Sequence, residues 1–262
     1  MRDPGDHLEA MRAAAPLVHC VTNFVAMTPA ANALLAAGAS PAMIHAPEEA
    51  GAFAGVAGAL TVNIGTLDAG WLAGMLAAAS GARAAGRPWA LDPVAVFASP
   101  FRREACASLL AERPTGIRGN ASEIRALAGE AAGGRGVDAG DAVEAAADTA
   151  AALAERTGAV VAVTGAVDLV TDGARTARIA GGHPLMTRVT AMGCGLTAVL
   201  GAYLAAVEDP FEATVAALAH YKLAGERAGA VAAGPGSFQP AFLDALAAVD
   251  GAALSGGARV SA

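Results

Sequence analysis

Short continuous apolar runs alternate with longer stretches of alanine and leucine from Leu17 onward. An apolar run bounded by turn formers reads as a strand buried on both faces, and apolar positions recurring every three to four residues read as a helix. On that basis strands are predicted over Leu17–Val21 and residues 42–45, 60–64, 89–91, 116–118 and 159–163. Helices are predicted between and after them over residues 29–37, 47–57, 69–85, 101–112, 122–128 and 141–157. Strand and helix in strict alternation predict an α/β fold with a mostly parallel sheet and helices on both faces.

The pattern changes after residue 165. Val167–Thr171 and residues 175–180 flank Asp172-Gly173, a dipeptide suited to a tight hairpin turn, so two antiparallel strands are expected there. Past Gly181-Gly182 the chain reads as helical over residues 192–206, 210–230 and 239–248. Residues 131–140, rich in glycine, read as a flexible surface loop, and residues 255–262 as a flexible tail. No shift in composition separates domains, so one domain over 1–262 is expected.

Composition sharpens this picture. Of 262 residues 55% are hydrophobic but only 4% aromatic, so the core must be built from Ala, Val and Leu on closely packed helices. A formal charge of −7 leaves no basic stripe for a nucleic-acid backbone. Cys20, Cys106 and Cys194 show no C-x-x-C spacing, which argues against a zinc site or a disulfide framework and suits a reducing cytoplasm. The start, M-R-D-P-G-D, carries acids where a signal peptide needs an apolar core, and the longest clean apolar run, residues 195–207, is too short to span a bilayer. A cytoplasmic protein that does not enter the membrane is expected.

In open parallel sheets ligands bind beyond the carboxyl ends of the strands. That rule selects Thr22 and Asn23, Gly65 and Thr66, Asp92, residues 118–120 and Thr164-Gly165. It also selects T-R-V-T-A-M-G-C-G, residues 187–195, where small residues run into an apolar helix. The open amides and partial positive charge of a helix start suit a phosphate or a developing anion. Cys194 at that mouth, with Arg188 nearby, would have its thiolate favoured, which makes it a candidate base or positioning group. The same residues equally suit an ordinary buried helix with Cys194 as a small hydrophobe.

Asp92, in L-D-P-V, suits a hydrated Mg²⁺ or a plain Asp-Pro turn. Asn120 and Glu123 have the spacing of a helix capping box, and Glu123 is alternatively a second metal carboxylate. Arg118 at the inner end of a strand suits a nucleotide phosphate, as does Thr164. Two carboxylates, two arginines, a strand-end threonine and a helix-mouth loop together point to phosphoryl transfer from a magnesium nucleotide. Walker A and protein-kinase signatures are absent from the sequence, and no Rossmann fingerprint stands at the first strand turn.

The segments P-L-V-H-C-V-T-N-F-V-A-M, V-N-I-G-T-L, L-D-P-V, I-R-G-N-A-S-E-I, V-A-V-T-G-A-V-D, G-H-P-L-M-T-R-V-T-A-M-G-C-G-L and G-P-G-S-F-Q-P-A occur in this order. In them the sequence resembles the hydroxyethylthiazole kinase family of thiamine biosynthesis over residues 17–248. The resemblance implies a three-layer α/β/α ribokinase-like fold and ATP-dependent phosphorylation of the primary hydroxyl of 5-(2-hydroxyethyl)-4-methylthiazole. It implies that Arg118 and Thr164 bind ATP, that Asp92 and Glu123 organise Mg²⁺, and that Asn23, Met43 and Gly65 hold the thiazole, with Ala191 beside them. Cys194 stands where sugar-kinase relatives have a catalytic aspartate, with Gly193 and Arg188 at the transferring phosphoryl group. Family members are homotrimers with active sites between subunits, so the same is expected here.

The chain departs from the family pattern at three places. T-G-x-G-C reads here with Ala191 for the first glycine; D-P-V-G-A-G reads with Ala95 and Phe97 for its two glycines; and Arg188 replaces a more usual lysine. Two alternatives follow from these changes: a ribokinase-like kinase for another small alcohol, such as a pyrimidine alcohol or a B6 vitamer, or a catalytically weak paralogue that binds ligand.

Overall fold

The computed structural model describes residues 2–130 and 143–262. Its nine strands form one sheet in the order β2-β1-β3-β4-β5-β6-β7-β8-β9. They are β1 (Leu17–Val21), β2 (Ser40–Ala42), β3 (Ala59–Asn63), β4 (Trp89–Asp92), β5 (Gly116–Asn120), β6 (Val160–Thr164), β7 (Val167–Thr171), β8 (Thr176–Ala180) and β9 (Arg259–Ser261). Pairings from β2 through β6 are parallel, and those from β6 to β9 antiparallel.

The period-two alternation of the strands sends one side chain to each face. In β6, Val160 and Ala162 join one core cluster while Val161 and Val163 join the other. The first cluster is closed by α1 (Pro4–Ala14), α2 (Met27–Ala37), α8 (Met192–Ala206), α9 (Pro210–Val231), α10 (Pro235–Ala248) and α11 (Gly251–Gly257). The second is closed by α3 (Pro47–Val56), α4 (Ala69–Ala84), α5 (Pro100–Ala111), α6 (Ala121–Leu127) and α7 (Ala147–Thr157). The expected three layers with helices on both faces are therefore present. The scarcity of aromatic side chains is met by close helix contact: a Cβ on Gly81 of α4 would stand 2.1 Å from the carbonyl oxygen of Gly51 in α3.

One element is added and two expectations change. The first residues form α1, with Asp3 capping the Gly5 amide and Leu8 and Met11 fully buried. The C-terminus is not a loose tail, because Asp250 caps α11, Leu254 is buried, and β9 adds an antiparallel edge to β8. The two ends also meet, through a 2.6 Å hydrogen bond from Ser255 Oγ to Asp3 Oδ1. The second strand comes earlier, at Ser40–Ala42, and the segment after it is held instead by His19 Nε2 against the Ile44 carbonyl. The loop expected over residues 131–140, and the first two residues of the helix expected over 141–157, lie outside the described residues.

Among the described residues, no helix is long and apolar enough to cross a membrane.

Candidate active site

The register of the parallel strands gathers their polar ends. Asn63 and Asp92, the last residues of β3 and β4, are paired neighbours, as are Asn120 and Thr164 at the ends of β5 and β6. Asn23, just past β1, donates from Nδ2 to Asn63 Oδ1 at 2.7 Å, and Asn63 Nδ2 donates to Asp92 Oδ2 at 2.7 Å. Thr197 Oγ1 on α8 donates to the same carboxylate oxygen at 2.9 Å. The Asn63 amide is fixed in this sense because its Oδ1 also accepts the Gly65 amide at 2.9 Å. Gly65 must be small, since a Cβ there would stand 2.6 Å from Asn23 Nδ2.

Cys194 lies on the first turn of α8, where Gly195 N–H closes onto the Ala191 carbonyl at 2.8 Å. The amides of Met192, Gly193 and Cys194 are the helix's open donors. Ala191 precedes them with φ 62° and ψ 12°, the left-handed conformation for which the family pattern carries glycine. Asn23 Nδ2 reaches Cys194 Sγ at 3.5 Å. Burial, and then the nearby Asp92 carboxylate, push the thiol pKa up, so Cys194 is a neutral thiol and the expected thiolate is corrected. The cation whose charge reaches it is Arg118. Arg188 instead sits exposed at the end of the short 3₁₀ turn Pro184–Arg188.

Arg118 lies across the floor between these groups. Its Nη2 donates to Thr164 Oγ1 at 2.6 Å, its Nη1 stands 3.6 Å from Asp92 Oδ2, and its buried Nε has no protein partner. Arg118 and Thr164 open onto a cavity of about 550 Å³, lined on its far side by Met186, Leu218 and Lys222. A groove of about 620 Å³ lies at the opposite end of the sheet, among Gly58, Trp89 and Thr115, away from these polar strand ends.

Asp92 is fully buried, and its Oδ1 has no partner. Burial raises its pKa to about 6, outweighing Arg118, Thr197 and Asn63, which pull it down; Glu123 adds to the rise. An unpaired, desolvated carboxylate oxygen fits a divalent cation that keeps most of its waters. Glu123 forms the capping box: Oε2 accepts from Asn120 N at 2.9 Å while Asn120 Oδ1 accepts from Glu123 N. Its other oxygen accepts from Ala95 N at 3.0 Å. Ala95 too is left-handed, at φ 53°. Phe97, on the next 3₁₀ turn, is 43% exposed. Among the described residues no cluster of three or more His, Cys, Asp or Glu side chains forms a cation cage.

Met43 does not join this network; it lies beyond edge strand β2, half-buried against the first core cluster. Three residues in it escaped the sequence reading: Asn63, Thr197 and Arg102, whose guanidinium binds the carbonyls of Ile64, Val94 and Gly65 and so holds two rim loops together. Asn63 carried a usable signal, a polar residue closing a strand that is apolar but for Thr61. Thr197 carried none, being one small residue inside a helical run.

The pattern of the hydroxyethylthiazole kinase family matches residues 8–251. Hydroxyethylthiazole kinase of Rhizobium etli (strain CIAT 652) is 66% identical over 255 residues, covering 97% of this chain and 99% of its own length. That of Cereibacter sphaeroides (strain ATCC 17029 / ATH 2.4.9) is 62% identical over 258 residues, covering 98% of each. The solved hydroxyethylthiazole kinase protein of Pyrococcus horikoshii OT3 superposes with a TM-score of 0.91 at 40% identity, covering 98% of both chains. Pyridoxal kinase from Staphylococcus aureus, at 17% identity and TM-score 0.61 over 80% of this chain and 87% of its own, shares the fold. With residues 8–251 matched by the family pattern and named relatives covered almost from end to end, this chain belongs to the hydroxyethylthiazole kinase family.

Proposed function

We propose that the protein phosphorylates the primary hydroxyl of 5-(2-hydroxyethyl)-4-methylthiazole with ATP and Mg²⁺, in thiamine biosynthesis or salvage. One observation carries this reading: Cys194, Asp92 and Arg118 converge at the first turn of α8 and are joined through Asn23, Asn63 and Thr197. Membership of the family and the identity to its named relatives support it.

The geometry supports a division of labour in this reading. Asn23 and Gly65 stand on the alcohol's side of Cys194, and Arg118 and Thr164 on the nucleotide's side. Asp92, with Glu123 behind it, would hold Mg²⁺, whose charge when bound would offset that of the phosphates. The open amides of Met192, Gly193 and Cys194 face the phosphoryl group in flight, where preorganised donors act most strongly. The alcohol oxygen bonds to the γ-phosphorus as the bond to the β,γ-bridging oxygen breaks, and ADP leaves. Phosphoryl transfer through a loose transition state needs little early deprotonation. A neutral Cys194 therefore positions the hydroxyl, and its proton departs late, onto a phosphoryl oxygen.

The assembly belongs to the same reading: a cytoplasmic homotrimer in which Phe24 and Val25, exposed beside Asn23, and Met43 near the sheet edge meet a neighbouring subunit.

The test is ATP consumption by the purified protein with Mg²⁺ and the thiazole alcohol, the product identified by mass. A phosphorylated thiazole is the expected result. Faster turnover of a pyrimidine alcohol or a B6 vitamer, or thiazole binding without product, would replace this reading with one of the two alternatives.

A further inference from the structure

Lys222, on α9, is only 7% exposed, and its ammonium group is fully occupied. Nζ donates to the carbonyls of Gly165 at 2.7 Å and Ala166 at 2.9 Å, and stands 3.1 Å from Asp168 Oδ1. Asp168, itself 2% exposed, also accepts the Gly165 amide at 2.8 Å. The turn between β6 and β7 is thus gripped by both its N–H and its carbonyls. It follows directly on Thr164, the residue that holds Arg118.

The stem of the same lysine packs against the exit of β8. A Cβ on Gly182 would stand 3.2 Å from Lys222 Cδ, and one on Gly181 would stand 3.4 Å from Lys222 Cβ. Lys222 therefore runs between two loops, 165–166 and 181–182, that form adjoining walls of the cavity beside Arg118 and Thr164. An ammonium has three hydrogens to donate, and all three are directed at protein acceptors, so it is not a spare phosphate ligand. A buried ion pair is also a poor source of stability, since desolvation offsets much of its attraction; its usual value is in fixing one arrangement over others.

We propose that Lys222, paired with Asp168, is a positioning residue for the nucleotide: it sets the two cavity walls and, through Gly165, the placement of Thr164 and Arg118. This rests on the reading of that cavity as the nucleotide side of the site. It predicts damage confined to the nucleotide, with the alcohol side intact.

The experiment is calorimetric titration of the full-length protein with a non-hydrolysable ATP analogue and Mg²⁺, for wild type, Lys222→Met and Asp168→Asn, alongside KM values for both substrates. Both variants are expected to bind the analogue about tenfold or more weakly, with the KM for the alcohol within about twofold of wild type. Unchanged analogue affinity in Lys222→Met overturns the proposal, as does an equal loss on both substrates, which is what a purely structural role gives. If thermal melting shows Lys222→Met unfolded, Asp168→Asn decides alone, because it keeps an acceptor for the Gly165 amide while removing the charge. The binding arm needs no acceptor alcohol, so a wild type that binds the analogue yet leaves the thiazole unphosphorylated defeats the proposed function and not this inference.

Discussion

The guanidinium of Arg118 lies directly against Gly193: a Cβ built on that glycine would stand 2.5 Å from Nη1 and 2.8 Å from Nη2. Because Nη2 is tied to Thr164 and Nη1 faces Asp92, the guanidinium cannot give way without loosening one of them. Gly193→Ala is accordingly expected to lower kcat/KM for ATP by about 10- to 100-fold through loss of a charge-assisted contact. Its melting temperature should move by no more than about 2 °C, since alanine also improves helix propensity. Steady-state kinetics with a thermal melt separates the two effects; unaltered nucleotide kinetics would mean that Arg118 does not need its present place.

Ala191 and Ala95 hold φ values of 62° and 53° at positions where the family pattern has glycine. A left-handed L-residue costs roughly 1–2 kcal/mol, and glycine gives part of that back as unfolded-state entropy. Ala191→Gly and Ala95→Gly should each raise stability by about 0.5–1 kcal/mol, a gain of roughly 1–3 °C in melting temperature. Turnover should stay within about twofold of wild type, because the loops already have the required shape. A sharp rise in turnover would instead favour the weak-paralogue alternative.

Much of this was legible in the sequence, for local reasons. The two-sided strands Ala59–Asn63 and Val160–Thr164 announce themselves as apolar runs, and the Asn120–Glu123 capping box follows from spacing alone. Because strand ends in a parallel sheet share one rim, the strand pattern by itself selects Asn23, Asp92, Arg118 and Thr164. What escaped depends on tertiary contact. Thr197 and Lys222 sit inside helical runs, and only the crossing of α8 and α9 over the strand ends gives them partners. The setting of Cys194 is likewise tertiary: the cation that acts on its thiol is Arg118 from β5, while Arg188, six residues upstream, is exposed. The thiol's neighbours are Asn23, Asp92 and Arg118, all distant in sequence. Helix α1 and strand β9 were missed because each is stabilised by the rest of the fold, not by its own apolar pattern.

Asp92 supplies a pH dependence with a definite sign. Burial holds its pKa up at about 6, so the carboxylate is ionised above that pH and protonated below it. A proton and a divalent cation compete for the same oxygen. Activity should therefore fall as pH drops through about 6 at low Mg²⁺, and the midpoint of that fall should move to lower pH as Mg²⁺ is raised. Rate profiles at several Mg²⁺ concentrations test this, with Asp92→Asn expected to lose activity by about 100-fold or more. A midpoint indifferent to Mg²⁺ would remove Asp92 from the metal site.

His220 makes the corresponding prediction for stability. It is fully buried on α9, with Nε2 2.9 Å from the Leu246 carbonyl and Nδ1 3.0 Å from Tyr203 Oη. The carbonyl only accepts, so Nε2 carries the hydrogen, and Nδ1 accepts from the tyrosine. Burial holds the folded pKa down at about 4, against an ordinary value of 6.5. The folded state thus keeps His220 neutral while the unfolded chain takes up a proton between pH 6.5 and 4. Its contribution to stability is complete above 6.5 and declines as pH falls toward 4, by at most roughly 3 kcal/mol. Asp92 works in the opposite sense over much the same range, since its raised pKa lets the folded state bind the proton first. His220→Gln keeps a donor and an acceptor, leaves Asp92 unchanged, and so isolates the histidine. Denaturant unfolding should find the variant less stable than wild type by about 1–2 kcal/mol at neutral pH, with the gap narrowing steadily as pH is lowered toward 5. A gap that does not change with pH would mean that the folded protein accommodates the imidazolium, contrary to its dry, doubly bonded setting between α8, α9 and α10.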